Sequence, residues 1–131
     1  ISYAMVYAEE PTREGILKAM KLRHTYGATD NIIADPRCKA AGGTERMMAD
    51  EFTVKGAPTI TLKLTGTMPF EKVTLIKDNV EILMDAPKEK DVSLSWTDPK
   101  SEKGKTSYYY FRGEQTNGEL VWVSPMWIKS E

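Results

Sequence analysis

The fold of this chain is decided by residues 108–128, YYYFRGEQTNGELVWVSPMWI, in which two apolar, aromatic-rich runs flank a polar TNG break at 116–118. Asn-Gly between two alternating runs is the strongest short-range signal for a β-hairpin. The sequence therefore predicts that the chain closes with a hairpin.

The first strand of this hairpin should have two different faces, because successive side chains of a strand point to opposite sides of a sheet. One face would carry Tyr109, Phe111 and Gly113, and the other Tyr108, Tyr110 and Arg112. The pattern resembles the closing hairpin of a fibronectin-type or immunoglobulin-like sandwich. In those folds a tyrosine near the start of this strand hydrogen-bonds back to the chain at a corner, and Tyr109 is the candidate here.

Other segments upstream alternate with the same period of two. Apolar residues at 60, 62 and 64 and at 92, 94 and 96 are separated by polar ones, and an Asp78-Asn79 turn joins two further runs at 70–77 and 80–84. Six or seven short strands with regular turn signals are typical of a sandwich. We expect a mainly β protein: an immunoglobulin-like (fibronectin type III-like) β-sandwich over residues 31–131, preceded by one strand-helix element over residues 1–30.

The strand-helix element begins with an almost continuously apolar run at 2–8, which favours a strand buried on both faces, as in parallel sheets. Thr12 is the expected N-cap of a helix over Thr12–Arg23, with Glu14 in its first turn. After it, an extended pattern at 32–35 is expected to be broken by Pro36 and by the small, polar segment at 40–44, which gives a loop or an irregular hairpin.

Composition excludes several classes of function. The 131 residues carry a net charge of −1, and their basic residues do not form a stripe, so we expect no nucleic-acid binding. No apolar run reaches the roughly 20 residues of a membrane span. The lone Cys38 is expected to be a packed side chain, and the chain lacks paired histidines for a metal site, so no metal ligands and no catalytic residues are assigned.

Two stretches carry a family resemblance: TREGILKAMKLRHTYGAT at 12–29, and the YYYFR…GELVWVSPMWI hairpin. Together they resemble the C-terminal portion of uncharacterised bacterial proteins that contain a metal-dependent hydrolase domain of the polymerase-and-histidinol-phosphatase (PHP) type. The resemblance implies that residues 1–30 are the last strand and helix of a distorted βα barrel and that the sandwich is appended to it. It also implies that the metal ligands lie upstream of Ile1.

On this resemblance the chain is a non-catalytic accessory domain with no cofactor of its own. Zinc, manganese or iron would be bound by the N-terminal catalytic domain of the full-length hydrolase. That domain is the expected partner, and the sandwich would brace it or mediate self-association as a homodimer. The resemblance implies a bacterial source and leaves the compartment open, with periplasmic and secreted locations included.

The single histidine has two interpretations. His24 follows the predicted helix, where an imidazole is favoured by the helix dipole and can cap free carbonyls. Alternatively, His24, Tyr26 and Asp30 form part of the active-site rim of the missing barrel, since loops can reach a barrel's mouth. The sequence leaves both open.

Exposed aromatics provide a function hypothesis of another class, a carbohydrate- or ligand-binding β-sandwich module. Trp96 alternates with core positions, and a core or interface role is expected for all three tryptophans. Tyr108, Tyr110 and Trp127 are the candidate ligand-binding residues. We also expect an exposed apolar patch where residues 1–30 would leave the barrel, and hence self-association at micromolar concentration.

Overall fold

Alternating apolar and polar residues produce strands that pack as two sheets. The computed structural model describes residues 1–131, with one helix and twelve strands. Helix α1 spans Arg13–Lys21. The strands β1 to β12, in chain order, span Tyr3–Val6, Thr25–Ala28, Ile33–Lys39, Glu45–Met47, Glu51–Val54, Thr59–Thr65, Phe70–Lys77, Val80–Asp85, Asp91–Thr97, Thr106–Gln115, Leu120–Trp122 and Met126–Ser130.

The larger sheet is organised around β10, the long strand of the closing hairpin. One edge of β10 pairs with β7, which pairs in turn with β8, while the other edge is shared by β11 and β12. From there β11 leads to β2 and β1, and β12 pairs in parallel with β5. The smaller sheet has the order β4-β3-β6-β9. The predicted mainly β sandwich is confirmed.

The core lies between the two sheets. It contains Ile60 and Leu62 from β6 of the smaller sheet, together with Phe70, Leu75 and Phe111 from the larger one. Burial follows the predicted alternation in β6 and β10, where every second residue is buried, whereas in β7 the four consecutive residues 73–76 are all buried. Each sheet therefore turns one apolar face inward, as period-two patterning requires.

The closing hairpin is confirmed, with one modification. Its loop at 116–119 turns through Gly118, whose φ of +84° suits glycine. The returning strand is interrupted around Ser124 and Pro125, so that β11 and β12 are separate elements that both pair with β10. A proline cannot donate a ladder hydrogen bond, which is consistent with a break at this point.

Helix α1 begins as predicted. Thr12 is its N-cap, and the Thr12 hydroxyl oxygen accepts a hydrogen bond from the Gly15 amide at 3.1 Å. The helix ends two residues earlier than expected, at Lys21. With only nine residues it is too short to span a membrane.

The expectation that the first strand is buried on both faces is wrong. β1 pairs antiparallel with β2 alone, and its first two residues are exposed. It is an edge strand of the larger sheet, which β2 joins by pairing with β11. A short apolar run fits several kinds of strand, and only the long-range pairing distinguishes them. The division between residues 30 and 31 stays a prediction.

The expected break at Pro36 is also wrong, because β3 continues from Ile33 to Lys39. Pro36 pairs with Leu62 of β6, whereas pairing with β4 on the other edge starts only at Arg37. The strand therefore has one neighbour at Pro36, and sheets tolerate proline at such edge positions. The loop at 40–44 is the turn that joins β3 to β4.

Candidate functional site

The end of α1 places the single histidine. Arg23 adopts a left-handed φ of +63°, its amide donates to Met20 O, and the His24 amide donates to Ala19 O, both at 3.0 Å. This is the Schellman arrangement, in which backbone amides satisfy the last carbonyls of a helix. The His24 ring is therefore not the cap, and it hydrogen-bonds to the Asp50 carboxylate instead, with 2.9 Å between Nε2 and Oδ1.

Asp50 holds several segments together. Besides the bond to His24, its carboxylate accepts hydrogen bonds from Arg46 Nε at 3.2 Å and from the Met47 amide at 3.0 Å. Burial raises the pKa of Asp50, but these hydrogen bonds and the Arg46 charge more than offset it, so the pKa lies below its usual value. Asp50 is thus an anion that links α1 to the β4–β5 connection.

The other two candidate rim residues belong to different networks. Tyr26 is buried, and its hydroxyl donates to Ile32 O at 2.8 Å and accepts from the Ala34 amide at 3.2 Å. Asp30 accepts a hydrogen bond from the Thr67 hydroxyl at 2.6 Å, which lowers the pKa of Asp30. No hydrogen bond joins these two residues to each other or to His24. Their role at a barrel rim stays a prediction.

The candidate ligand-binding aromatics lie together on the outer side of the larger sheet. Tyr108 and Tyr110 alternate with buried residues of β10 and are half-buried, and Trp127 is the direct cross-strand partner of Tyr108. Trp122 pairs with the exposed Arg112 and is on the same side, with 40% of its surface exposed. We call Tyr108, Tyr110, Trp122 and Trp127 the aromatic face.

The tryptophans divide between the two sides of the molecule. Trp96 packs against the core, with its ring centroid 6.3 Å from that of Tyr109, as expected. A core position is wrong for Trp122, because β11 turns its buried Val121 inward and Trp122 outward. Trp127 is covered in part by Arg23, whose guanidinium carbon lies 5.4 Å from the ring centroid, within range of a cation–π contact.

Sequence reasoning missed a buried ionic cluster at one end of the sandwich. The Asp98 carboxylate accepts hydrogen bonds from Lys77 Nζ and from the Tyr109 hydroxyl, both at 2.6 Å. Tyr109 therefore bonds back to the β9–β10 connection, as a corner tyrosine should, but its acceptor is a side chain. The sequence offered no signal beyond Asp98-Pro99, which indicates only a turn.

Helix α1 presents apolar residues to solvent. Its buried residue is Ala19, whereas Ile16, Leu17 and Met20 are between 41% and 53% exposed. Positions 16 and 20 are one turn apart and therefore adjacent on the helix surface. We call Ile16, Leu17 and Met20 the helix face. These exposed apolar side chains lie where the sequence predicts an apolar patch, and the origin of that patch in a missing barrel stays a prediction.

Two smaller expectations concern metals and thiols. No group of three or more His, Cys, Asp or Glu side chains is placed to hold a metal ion. Cys38 is a packed core side chain, as expected, and burial raises its pKa to about 11.

The chain was compared with known proteins at the level of sequence and of fold. No family model matches it, no curated protein matches its sequence, and no solved structure matches its fold.

Proposed function

We propose that this chain is a non-catalytic accessory domain that packs against a PHP-type metal-dependent hydrolase domain. The observation that carries the proposal is the helix face. A helix on the surface of a globular protein normally packs its apolar stripe against the core. Helix α1 instead buries Ala19 and leaves three larger apolar side chains about half exposed to solvent. A neighbouring protein surface would remove them from water.

The first strand supports the same proposal. One edge of β1 pairs with β2 and the other edge has no partner, while Tyr3 on this strand is 38% exposed. An unpaired strand edge is a template on which another chain segment can add. The helix face and β1 are consecutive in sequence, so one partner domain could cover both.

The sandwich connectivity fits an accessory module. The strands β3-β6-β9 face β8-β7-β10, and β10 is followed by β11, an order that supports an immunoglobulin-like or fibronectin type III-like domain. In this proposal zinc, manganese or iron is bound by the hydrolase domain, and the sandwich braces that domain or pairs two copies of it.

We expect the isolated chain to self-associate at micromolar concentration, because the helix face is uncovered, and we expect Ile16→Glu with Met20→Lys to make it monomeric. Sedimentation velocity measures both. Val80→Lys is the matched control, since Val80 is 60% exposed in the β7–β8 turn region. A monomeric wild-type chain, or a double variant that associates like the wild type, would contradict the role of the helix face.

The link to a hydrolase has its own measurement, the intact mass of the endogenous protein. We expect an N-terminal extension with His-x-His and Asp-x-His segments. A natural protein that begins near Ile1 would overturn this part of the proposal while leaving self-association unaffected.

A second candidate function is binding of a carbohydrate, favoured by the alignment of four aromatic side chains on one sheet face. Sugar rings have apolar faces that stack on aromatic rings, and the charged pair Arg112–Glu81, 3.1 Å apart, lies beside them to meet hydroxyl groups. We expect oligosaccharides to change tryptophan fluorescence and Trp122→Ala to weaken binding about five- to tenfold. Tyr3→Ala is the control, and an unchanged affinity in Trp122→Ala would reject this function.

A further inference from the structure

A cavity of about 460 Å³ lies between α1 and the strands β3 and β4. Its wall on the helix side includes Gly15 and Ala19, and Arg37 and Met47 line it on the strand side. His24 lines it as well. Small residues on the helix leave this space open, because a larger side chain at position 19 would project toward the strands.

Arg37 is oriented by a carboxylate and has free donors. Its Nε donates to Asp35 Oδ1 at 2.6 Å, and both residues lie on the same side of β3. The two terminal nitrogens make no hydrogen bond to the chain, and no buried side-chain nitrogen is without a partner, so both are in contact with solvent. A guanidinium fixed through Nε presents the remaining donors in a planar fork that matches an oxyanion.

His24 is oriented in the same way. The Asp50 carboxylate can only accept hydrogen bonds, so Nε2 of His24 carries a proton. Nδ1 is an acceptor when the ring is neutral and a donor when the ring is charged. Nδ1 makes no hydrogen bond to the chain and is also in contact with solvent. Arg37 and His24 therefore line one cavity, and each is oriented by a hydrogen bond to a carboxylate, of Asp35 and Asp50 respectively.

The backbone connects these two groups. Met47 is the cross-strand partner of Arg37, its amide donates to Asp50, and Asp50 holds His24. The charges of Asp35 and Glu45 also act on Arg37, and three acidic residues line the cavity. Glu9, Glu10 and Glu14 are exposed, where solvent screens their charge, and Lys18 Nζ lies 3.5 Å from Glu9.

We infer that this cavity is a binding site for a small tetrahedral oxyanion, of which inorganic phosphate is the simplest case. The Arg37 fork binds two anionic oxygens. Nδ1 of His24 bonds to a further oxygen, accepting from a hydroxyl when the ring is neutral or donating to an anionic oxygen when the ring is charged. A carboxylate such as acetate has no third oxygen for His24 and binds more weakly. The site is independent of the helix face and of the aromatic face.

The test uses the fact that the chain has one histidine, so the imidazole resonances in an NMR spectrum belong to His24. Titration with inorganic phosphate at constant pH, against sodium chloride of matched ionic strength, should move these resonances saturably. Arg37→Gln should weaken phosphate binding about tenfold or more, since hydrogen bonds to charged groups contribute about 1.5–3 kcal/mol. Arg37→Lys should retain part of the affinity, because lysine keeps the charge and loses the fork.

Arg112→Gln is the control, because Arg112 lies on the larger sheet, away from the cavity, and bonds there to Glu81. Its affinity for phosphate should equal that of the wild type, and amide spectra of each variant report whether it is folded. The inference is overturned if phosphate up to about 50 mM, well above the Kd of a millimolar site, moves the His24 resonances no more than chloride does. Equal affinities of folded Arg37→Gln and wild type would overturn it as well.

Discussion

Replacing Asp98 with alanine is expected to lower the free energy of unfolding by about 3–5 kcal/mol, because the change leaves a buried ammonium without its counter-ion. The Asp98 side chain is 2% exposed and that of Lys77 is 12% exposed, so water reaches neither group well. The Tyr109 hydroxyl also loses its acceptor. Urea denaturation of wild type and variant measures the difference.

A double-mutant cycle separates the ion pair from simple packing. Lys77→Met combined with Asp98→Asn removes both charges. The asparagine oxygen can still accept from the Lys100 amide, which lies 2.8 Å from Oδ1 of Asp98, while the asparagine NH2 group can donate to the Tyr109 hydroxyl oxygen. We expect the double variant to lose clearly less stability than the sum of the losses measured for Lys77→Met alone and Asp98→Asn alone. Strict additivity would mean that the pair contributes little.

The same pair has a pH signature. Burial raises the pKa of Asp98, but the hydrogen bonds from Lys77 and Tyr109 more than offset it, so the folded-state pKa lies below the usual value. A lowered folded pKa stabilises the protein at pH values above the unfolded pKa of about 3.9. That contribution is lost as pH falls through the folded value. The stability gap between wild type and Asp98→Ala should therefore begin to close below about pH 4.

Replacing Phe70 with alanine should cost about 3–5 kcal/mol of stability, the range for removing a buried aromatic ring. Phe70 is fully buried, and two glycines make room for its ring. A Cβ at Gly66 would lie 2.8 Å from Phe70 Cε2, and one at Gly113 would lie 3.2 Å from Cε1. The cavity left by the ring would thus be bordered by backbone that cannot easily collapse.

Two companion variants sharpen this test. Gly113→Ala alone should destabilise the protein by about 1–3 kcal/mol through overpacking. In the Phe70→Ala background the cost should be smaller, because the contact with the ring is gone, although the contact with Val121 Cγ1 at 2.9 Å remains. Val80→Ala, at an exposed position, should change stability by less than about 0.5 kcal/mol. A Phe70→Ala protein as stable as Val80→Ala would contradict the packing described here.

Sequence patterns predicted the burial of some strands correctly and misjudged others. β6 was predicted with its buried face, because alternation specifies which side chains point to the core, whereas in β7 the four consecutive residues 73–76 are all buried. β1 and β3 were misjudged, because an apolar run or a proline has different meanings at the centre and at the edge of a sheet. The positions of β1 and β3 in their sheets depend on pairing with β2 and β6, and the pattern within a strand does not reveal its partners.

The candidate sites divide in the same way. The placement of Tyr108 and Tyr110 opposite the core followed from alternation, whereas the outward position of Trp122 depended on how β11 joins β10 and β2. The Asp50 carboxylate had no local signal, since its partner His24 is 26 residues away. Arg37 and its cavity gave no signal either, because α1 and β3 meet only in the folded chain.

Local sequence patterns were sufficient to predict the β class of the protein, the closing hairpin, the Thr12 cap and the inward face of β6. These features depend on neighbouring residues, whose conformational preferences act locally. The edge position of β1, the Asp98–Lys77 pair across 21 residues, and the cavity lined by Arg37 and His24 became visible only in the folded chain. Contacts between distant segments arise from the packing of whole sheets, and no local pattern encodes which polar groups will meet there.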